Sequence, residues 1–445
     1  MRWRSGVAAS EHGLSAAREP GEPHARRWLG AVLLVLAVGL ATHLHNLAAF
    51  PPLHDFDGPG HGVNVLAVER GEFPDPRSWG GFHPPLYYAL GAAVWRALPE
   101  RVPVHVGLRA ISMLAGIALA LVLWQTLKRF ASEVDAAVAV TLVFCSPVFT
   151  IASSMLGNEM FGACLVTVAL ARLTTIPLPA SMVRHAMVTG LWLAAALLTK
   201  SSALAAVGVA ALTYVFAGRT LPRRALMAAA LVGAIPLLAA APHYARLLDA
   251  SGGSVMSVVS GAAMAEQVQE EMRSQPPGER HVSDYVSLPL RAFLAPHHSA
   301  PGLERSVPGL LYASTWADGH GEFLPASVPG LLAAASMLAV GGIVPTLLAA
   351  AGLLRLLHQP RRFGAAAGPL LFGALLLAAL VRYTWVLPAY SAVKASYLLP
   401  ATLPAALLLV WGLEGLGPRA RAAARGFCLA LALAASCVLW QGWWL

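Results

Sequence analysis

Charged residues are scarce in this chain. They make up 12% of its 445 residues, and 57% of the residues are hydrophobic. A soluble globular domain carries about 25% charged residues. A chain with half that share cannot cover its surface with polar groups, so most of the surface must face lipid. The shortage of charge therefore excludes an ordinary soluble protein and favours an integral membrane protein.

Cysteine is also rare, and no internal repeat of solenoid period is present. The four cysteines, Cys145, Cys164, Cys428 and Cys437, all lie in apolar stretches and form no C-x-x-C pair. This pattern argues against a disulfide framework and against a cysteine metal site. The cysteines are better interpreted as small buried hydrophobic residues.

The positive charge is distributed in short clusters. The formal net charge is +9, but most of the arginines lie between apolar runs, in pairs such as Arg26-Arg27 and Arg223-Arg224. Such clusters are typical of cytoplasmic loops next to anionic lipid head groups. They do not form a phosphate-binding face, so no nucleic-acid partner is expected.

Apolar runs near the length of about 20 residues that spans a bilayer recur along the chain. They predict an all-α polytopic membrane protein of about eleven transmembrane helices. The tail 1–27 is polar and is predicted to be disordered and cytoplasmic, and 28–445 forms the membrane domain. The runs are 28–50, 107–127, 134–156, 160–177, two helices within 184–218, 225–243, 328–354, 365–387, 398–416 and 426–443.

The orientation follows from the positive-inside rule. With the tail inside, every short cytoplasmic connection carries at least two positive charges. Two long non-cytoplasmic loops then remain, 51–106 and 244–327, and the stretch from Pro84 to Leu98 is predicted to lie as a helix at the membrane surface. The basic connections hold Lys128/Arg129, Arg172/Arg184, Arg219/Arg223/Arg224, Arg355/Arg361/Arg362 and Arg419/Arg421/Arg425.

The loop after the first span has reactive side chains next to a helix end. Asp55, Asp57 and His61 could act there as a general base or a charge clamp. The alternative is an ordinary solvated loop. Farther along, His297-His298 lacks metal-ligand spacing and is interpreted as a solvated pair.

The first loop resembles that of a known family. The block FDGPGH…ERGEFP…FHPPLYY is similar to the first outer loop of the GT-C glycosyltransferases that use polyprenyl-phosphate sugars, which include protein O-mannosyltransferases and aminoarabinose transferases. Asp57 and His61 match the Asp and His of the family motif, and His83 to Tyr88, including Tyr87, match its second segment. Gly58 stands where the family usually has Glu.

Three later motifs follow the family order. Gly157-Asn158-Glu159 resembles the Asn-acid step at the outer end of the third span. Leu198-Thr199-Lys200-Ser201 resembles the LTK turn. The stretch VKASYLLP, with Lys394 and Tyr397, resembles the late basic-Tyr-LLPA element. The resemblance implies a GT-C-like fold and places these residues at a substrate site.

The second outer loop contains PGLLYASTWADGHGEFLP. Trp316, Asp318 and His320 could bind a sugar, because indole faces stack on pyranose rings and carboxylates bind hydroxyls. The alternative is an interfacial tryptophan followed by a turn at Asp318-Gly319. Either way, Asp318 is predicted on the same membrane face as Asp57, Glu159, Lys200 and Lys394, where charges need a partner or a function.

These observations predict an inverting glycosyltransferase of the cell (inner) membrane with its active site on the non-cytoplasmic side. Its partners would be membrane lipids, a polyprenyl-phosphate-linked sugar, and an envelope acceptor that is a lipid, glycan or protein hydroxyl. Asp57 would be the base, Lys200 and Lys394 would stabilise the leaving phosphate, and Glu159 would position the acceptor or help hold a divalent ion. No cofactor is required by the motifs, although a divalent metal is compatible with the fold. The alternative function is a lipid or solute transporter or flippase, which would also explain intramembrane charge.

Overall fold

A computed structural model describes residues 25–51, 57–176, 181–253, 266–324, 328–359 and 363–441. All the regular secondary structure in these ranges is helical, which confirms the predicted all-α class. Asp55, most of the tail 1–27, Arg361 and Arg362 lie outside the described residues.

The α-helices divide into membrane-length elements and shorter connecting elements. The first half of the chain contains α1 (Ala25–Ala49), α2 (Gly58–Glu69), α3 (Leu86–Ala97), α4 (Val104–Leu127), α5 (Glu133–Phe144), α6 (Pro147–Ser154), α7 (Glu159–Leu173), α8 (Met182–Leu197) and α9 (Ala203–Ala217). The second half contains α10 (Pro222–Ala250), α11 (Glu266–Ser274), α12 (Arg291–Leu294), α13 (Val307–Trp316), α14 (Pro329–Gly341), α15 (Ile343–His358), α16 (Phe363–Val386), α17 (Thr402–Glu414) and α18 (Pro418–Val438).

The protein crosses the membrane several times. Within the described residues, seven helical stretches are long and apolar enough to span, and two of them, Gly330–His358 and Tyr390–Glu414, join consecutive helical elements. An eighth span results if α5 and α6, bent by 55°, are counted together. Each of α7, α8 and α9 has only 15 or 16 residues. At a rise of 1.5 Å per residue they reach about 24 Å, short of a hydrocarbon core of about 30 Å. The predicted count of eleven is therefore not confirmed.

One end of the helix bundle is held by buried charges, and we call it the arginine end. Ser132 caps α5 by accepting a hydrogen bond from the Asp135 amide. The Asp135 carboxylate, fully buried, pairs with Arg425 at 2.8 Å and also with Arg421. A buried carboxylate needs such partners because desolvation of an unpaired charge is costly. The pairing fixes the start of α5 against the start of α18.

The opposite end, which we call the site end, collects the loops. Leu86 at the start of α3 donates its amide to the Leu198 carbonyl at 2.9 Å. The Gln441 side chain donates to the Phe323 carbonyl at 3.0 Å. The basic connection at Lys128 leads to Ser132 at the arginine end, whereas the acidic turn at Glu159 contacts Lys200 at the site end.

Small residues allow close helix contact in the second half. A side chain at Gly352 would overlap the carbonyl of Leu408, and one at Gly412 would overlap that of Leu348. Helices α15 and α17 therefore pack backbone to backbone, the usual role of small residues between membrane helices. Helix α17 begins at the site end, directly after the 3₁₀ segment Ala395–Ala401.

Candidate active site

Two ion pairs lie at the site end, and the first joins the first loop to the late motif. Asp57 immediately precedes α2, and Lys394 immediately precedes the segment Ala395–Ala401. The Lys394 Nζ lies 3.3 Å from Asp57 Oδ2 and 3.5 Å from Oδ1. Their side chains are 9% and 19% exposed, respectively, so little water screens the pair. The structure therefore brings two of the predicted site residues into contact.

The second ion pair joins two helix breaks. Glu159 is the first residue of α7, and Lys200 lies in the turn between α8 and α9. Lys200 Nζ lies 2.7 Å from Glu159 Oε1. Asn158 strengthens this arrangement because its Nδ2 donates to the Thr199 carbonyl at 3.2 Å. The predicted Asn-Glu step and the predicted LTK turn thus form one unit.

Tyr397 lies between the two ion pairs. Its ring centroid is 5.0 Å from Lys200 Nζ and 5.9 Å from Lys394 Nζ, distances at which an ammonium is attracted to the ring face. The Tyr383 ring meets it edge-on at 5.9 Å. The single aromatic ring therefore connects two cations that come from distant parts of the chain.

His61 and His83 lie beside the carboxylates. His61 Nδ1 is 3.0 Å from the Tyr88 hydroxyl, which donates its own proton to the Gly80 carbonyl at 2.7 Å. His61 Nδ1 must therefore donate to the Tyr88 hydroxyl oxygen, which leaves Nε2 as an acceptor. Nε2 is buried and has no hydrogen-bond partner among the described residues. Burial lowers the pKa of both rings, so both are neutral at neutral pH. The two rings stack with centroids 5.5 Å apart.

The four charged residues line a cavity of about 650 Å³. Its polar part also includes His83, His320 and Tyr397. Its other part is apolar and is formed by helices α9 and α16 through Leu204, Ala205, Leu376, Ala379 and Leu380. A second cavity of about 50 Å³ adjoins it and shares Asp57, Glu159, His320 and Lys394. The large cavity is thus amphipathic: the two ion pairs and Glu322 line it together with this apolar wall.

Asp318 and His320 support the site from the second loop. Asp318 Oδ2 accepts hydrogen bonds from the amides of Phe323 at 2.6 Å and Leu324 at 2.8 Å, so the carboxylate organises its own turn. His320 Nε2 donates to the Val393 carbonyl at 3.0 Å, next to Lys394. Burial, together with the nearby Lys394 charge, lowers the pKa of His320 to about 3.

The structure does not bring Trp316 to the cavity. Its indole Nε1 donates to Thr346 Oγ1 at 3.0 Å, and its ring packs against Gly342. The position of Trp316 on α13 directs it toward α14 and α15 instead, and its ring does not line the cavity. Tyr87 is fully buried beside Val65 and supports the first loop from within.

Several residues near the site were not predicted. Tyr383, Tyr390, Trp79 and Gln275 line the cavity, and no sequence pattern distinguished them from structural residues. Arg109 is different: it is fully buried in α4 and donates to the carbonyls of Phe50 at 2.6 Å and Pro51 at 2.8 Å. An arginine inside an apolar run is unusual, and this feature of the sequence could have identified Arg109 as a candidate.

The donor set does not fit a resident divalent metal. Among the residues that the structure describes, no three His, Cys, Asp or Glu side chains are grouped as metal ligands. Asp57 and Glu159 are each neutralised by a lysine ammonium instead. A divalent ion would have to displace both lysines to gain two carboxylates.

Three solved structures are similar in fold. ArnT from Cupriavidus metallidurans bound to undecaprenyl phosphate has a TM-score of 0.51 at 15% identity, covering 89% of this chain and 62% of ArnT. The apo state of the same ArnT has a TM-score of 0.50 at 14% identity, covering 89% of this chain and 62% of ArnT. The Archaeoglobus fulgidus oligosaccharyltransferase in complex with Zn and sulfate has a TM-score of 0.53 at 14% identity, covering 92% of this chain and 52% of the oligosaccharyltransferase.

The chain thus matches between 52% and 62% of the length of these proteins. No family model and no curated protein matches the sequence. At such low identity the likeness shows the fold alone, and that fold is the GT-C fold expected from the motifs.

Proposed function

We propose that this GT-C membrane protein is an inverting glycosyltransferase that takes a sugar from a polyprenyl-phosphate donor. The observation that carries the proposal is the pair of lysine–carboxylate contacts around Tyr397 at the polar end of an amphipathic cavity. Moving these charges out of water costs several kcal/mol, which pairing offsets only in part, so charged residues at such positions are candidates for function.

The cavity suits a lipid phosphate. An isoprenoid chain would lie along the apolar wall from α9 and α16, and the phosphate would reach Lys200 and Lys394. The similar ArnT structure contains undecaprenyl phosphate, which supports a ligand of this class. The ammonium groups would stabilise the departing phosphate more than the intact donor, because negative charge grows on the bridging oxygen during cleavage.

Asp57 is the base in this proposal. A donor phosphate would compete with the Asp57 carboxylate for Lys394, 3.3 Å away, and would release the carboxylate toward the acceptor. The acceptor oxygen then forms a bond to the anomeric carbon while its proton passes to Asp57. The bond from carbon to the phosphate oxygen breaks, and polyprenyl phosphate leaves with the electron pair.

Glu159 would position the acceptor hydroxyl, and its pair with Lys200 would keep both groups in place until substrates bind. The acceptor is proposed to be an envelope lipid, glycan or protein hydroxyl. The site end is proposed to face the non-cytoplasmic side of the cell (inner) membrane, because the basic connections lie at the other end.

The alternative is a lipid flippase, which the apolar wall of the same cavity would also suit. Purified protein in detergent separates the two functions because no membrane is present to transport across. The assay supplies polyprenyl-phosphate hexoses and pentoses with envelope acceptors and measures released polyprenyl phosphate. We expect release by the wild type, and transport of labelled lipid across liposomes without any release would replace the proposal with the flippase.

The lysine variants sharpen this test. Lys200→Met and Lys394→Met keep most of the apolar stem and remove the charge, so turnover should fall in both. Lys128→Met is the matched control, since Lys128 is exposed, follows α4 at the arginine end, and its ammonium lies over the Trp124 ring rather than beside a carboxylate of the site. Equal turnover in all three variants would contradict a role of the two lysines in leaving-group stabilisation.

A further inference from the structure

Residues 282–294, which we call the apolar strap, expose an unusual number of apolar side chains. Val286 is 77% exposed and Leu290 is 68% exposed. Three further members are also exposed, namely Val282, Leu288 and Leu294. A solvated loop would not display such a set, since contiguous exposed apolar surface marks an interaction site.

The charge within the strap is mostly turned away from this surface. Asp284 is buried, accepts the His281 amide at 2.9 Å and pairs with Arg305 at 3.4 Å. Arg291 donates to the Pro301 carbonyl at 3.3 Å. The exposed surface of the strap is therefore mostly apolar, and Ser283, Ser287 and Arg291 are its exposed polar residues.

The strap lies against two membrane helices at a definite depth. The Tyr285 hydroxyl is 3.2 Å from Thr384 Oγ1 and 3.4 Å from the Val381 carbonyl in α16. On the other side, the Ser336 hydroxyl of α14 donates to the Leu294 carbonyl at 2.9 Å. The strap thus bridges the site ends of α14 and α16.

These contacts fall at the hydrocarbon boundary. The span Gly330–His358 has 29 residues and is about 43 Å long, so a span centred in the bilayer would extend about 7 Å at each end beyond a hydrocarbon core of about 30 Å. Ser336 lies about 9 Å from the start of this span, and Val381 lies about 8 Å from the end of Gly364–Val386. With both spans centred in this way, the two contacts would reach the level of the acyl chains.

The neighbouring helix surfaces are exposed and apolar as well. Met337 and Val340 of α14 are exposed beside Ser336, and Val381 and Trp385 of α16 are exposed beside Tyr285. The Tyr285 and Trp385 rings lie 5.8 Å apart, and Tyr and Trp are the two residue types that are enriched at membrane–water interfaces. The exposed face of the strap is thus continuous with the lipid-facing surface of two spans.

From this continuity and depth we infer that the apolar strap inserts into the bilayer at the acyl–headgroup boundary and anchors the second loop to lipid. Its partner is the lipid surface, and the inference does not depend on glycosyl transfer. The strap is joined to α13 through Ser306, which donates to the Ser287 carbonyl at 2.6 Å. Insertion would therefore hold the loop that carries Asp318 and His320 at a constant height above the bilayer.

Depth-dependent quenching tests the inference. In a Cys437→Ala background, which removes the exposed cysteine of the four, Val286→Cys and Leu290→Cys are labelled with an environment-sensitive fluorophore. The full chain is placed in nanodiscs of phosphatidylethanolamine and phosphatidylglycerol containing doxyl lipids. The matched control is Glu279→Cys, an exposed charged position just before the strap.

We expect doxyl groups near the head group to quench the labels at 286 and 290 at least twofold more than the label at 279, with iodide showing the opposite order. Strong iodide quenching and no doxyl quenching at 286 and 290 would overturn the inference and show that the strap faces water. If labelling disturbs folding, a photoreactive lipid with wild-type protein gives an independent answer. Adducts in the peptides between Arg280 and Arg305 support insertion, and their absence beside labelled α14 and α16 peptides contradicts it.

Discussion

Lys394 lies 3.3 Å from Asp57 although 337 positions separate the two residues in the chain. The contact joins the first loop to the start of the 3₁₀ segment Ala395–Ala401, and it places the proposed base next to the lysine that is proposed to bind the phosphate. Each residue lies directly before a helical segment, so its position is fixed by the start of that segment. The pair therefore offers a direct test of the proposed chemistry.

Asp57→Asn should remove the base without changing the size of the side chain. We expect turnover to fall by about 10²–10⁴-fold, the usual contribution of a general base. Donor binding should persist, because the Lys394 ammonium is retained and can still bind the phosphate. Turnover and binding of radiolabelled donor are measured side by side, with Asp249→Asn, an exposed carboxylate in α10, as the control. Unchanged turnover in Asp57→Asn would remove Asp57 from the mechanism.

The Glu159–Lys200 pair should show strong coupling in stability. Removal of one partner leaves the other charge poorly solvated, since their side chains are only 15% and 13% exposed. Each single variant, Glu159→Gln or Lys200→Met, should lose about 3 kcal/mol or more of unfolding free energy, and the double variant should lose less than the sum. Thermal unfolding in detergent measures this cycle. Additive losses would mean that the two side chains do not interact in solution.

Arg109 should act as a positioning residue for Asp57. Its guanidinium donates to the carbonyls of Phe50 and Pro51, where α1 ends and the loop toward Asp57 begins. Hydrogen bonds from a charged group contribute about 1.5–3 kcal/mol each. Arg109→Met should therefore lower the melting temperature, and it should lower kcat more than it raises KM for the donor.

The matched variants separate positioning from general damage. Arg109→Lys keeps a cation that can donate to one of the two carbonyls, so it should recover part of kcat. Arg101→Met removes an exposed arginine before α4 and should change neither quantity. A loss of melting temperature in Arg109→Met without any change in kcat would assign Arg109 a purely structural role.

The sequence predicted the fold class and the common face of the charged site residues, but it did not predict how those residues pair. The positive-inside rule places Asp57, Glu159, Lys200 and Lys394 at one end from loop charges alone. Which lysine meets which carboxylate depends on how the helix breaks are packed, and that is a tertiary property. Trp316 shows the same limit, because α13 turns its indole toward Thr346 rather than the cavity.

His320 predicts a pH dependence of stability. Its pKa is lowered from 6.5 to about 3 by burial and by Lys394, with His298 and His297 also facing it. Between these two pKa values the unfolded chain binds a proton that the folded chain does not, so stability falls as the pH is lowered through this window. At about pH 5 the loss from His320 is about 2 kcal/mol relative to about pH 7.

His320→Gln isolates this contribution. The amide can still donate to the Val393 carbonyl, but it cannot titrate, so the variant should lose less melting temperature than the wild type when the pH is lowered. His297 and His298 titrate in both proteins, and their contributions cancel in the comparison. His281→Gln, at an exposed position, is the control for the loss of a histidine side chain. Identical slopes for His320→Gln and the wild type would mean that His320 is accessible to protons in the folded protein, and that the loop beside Lys394 is open.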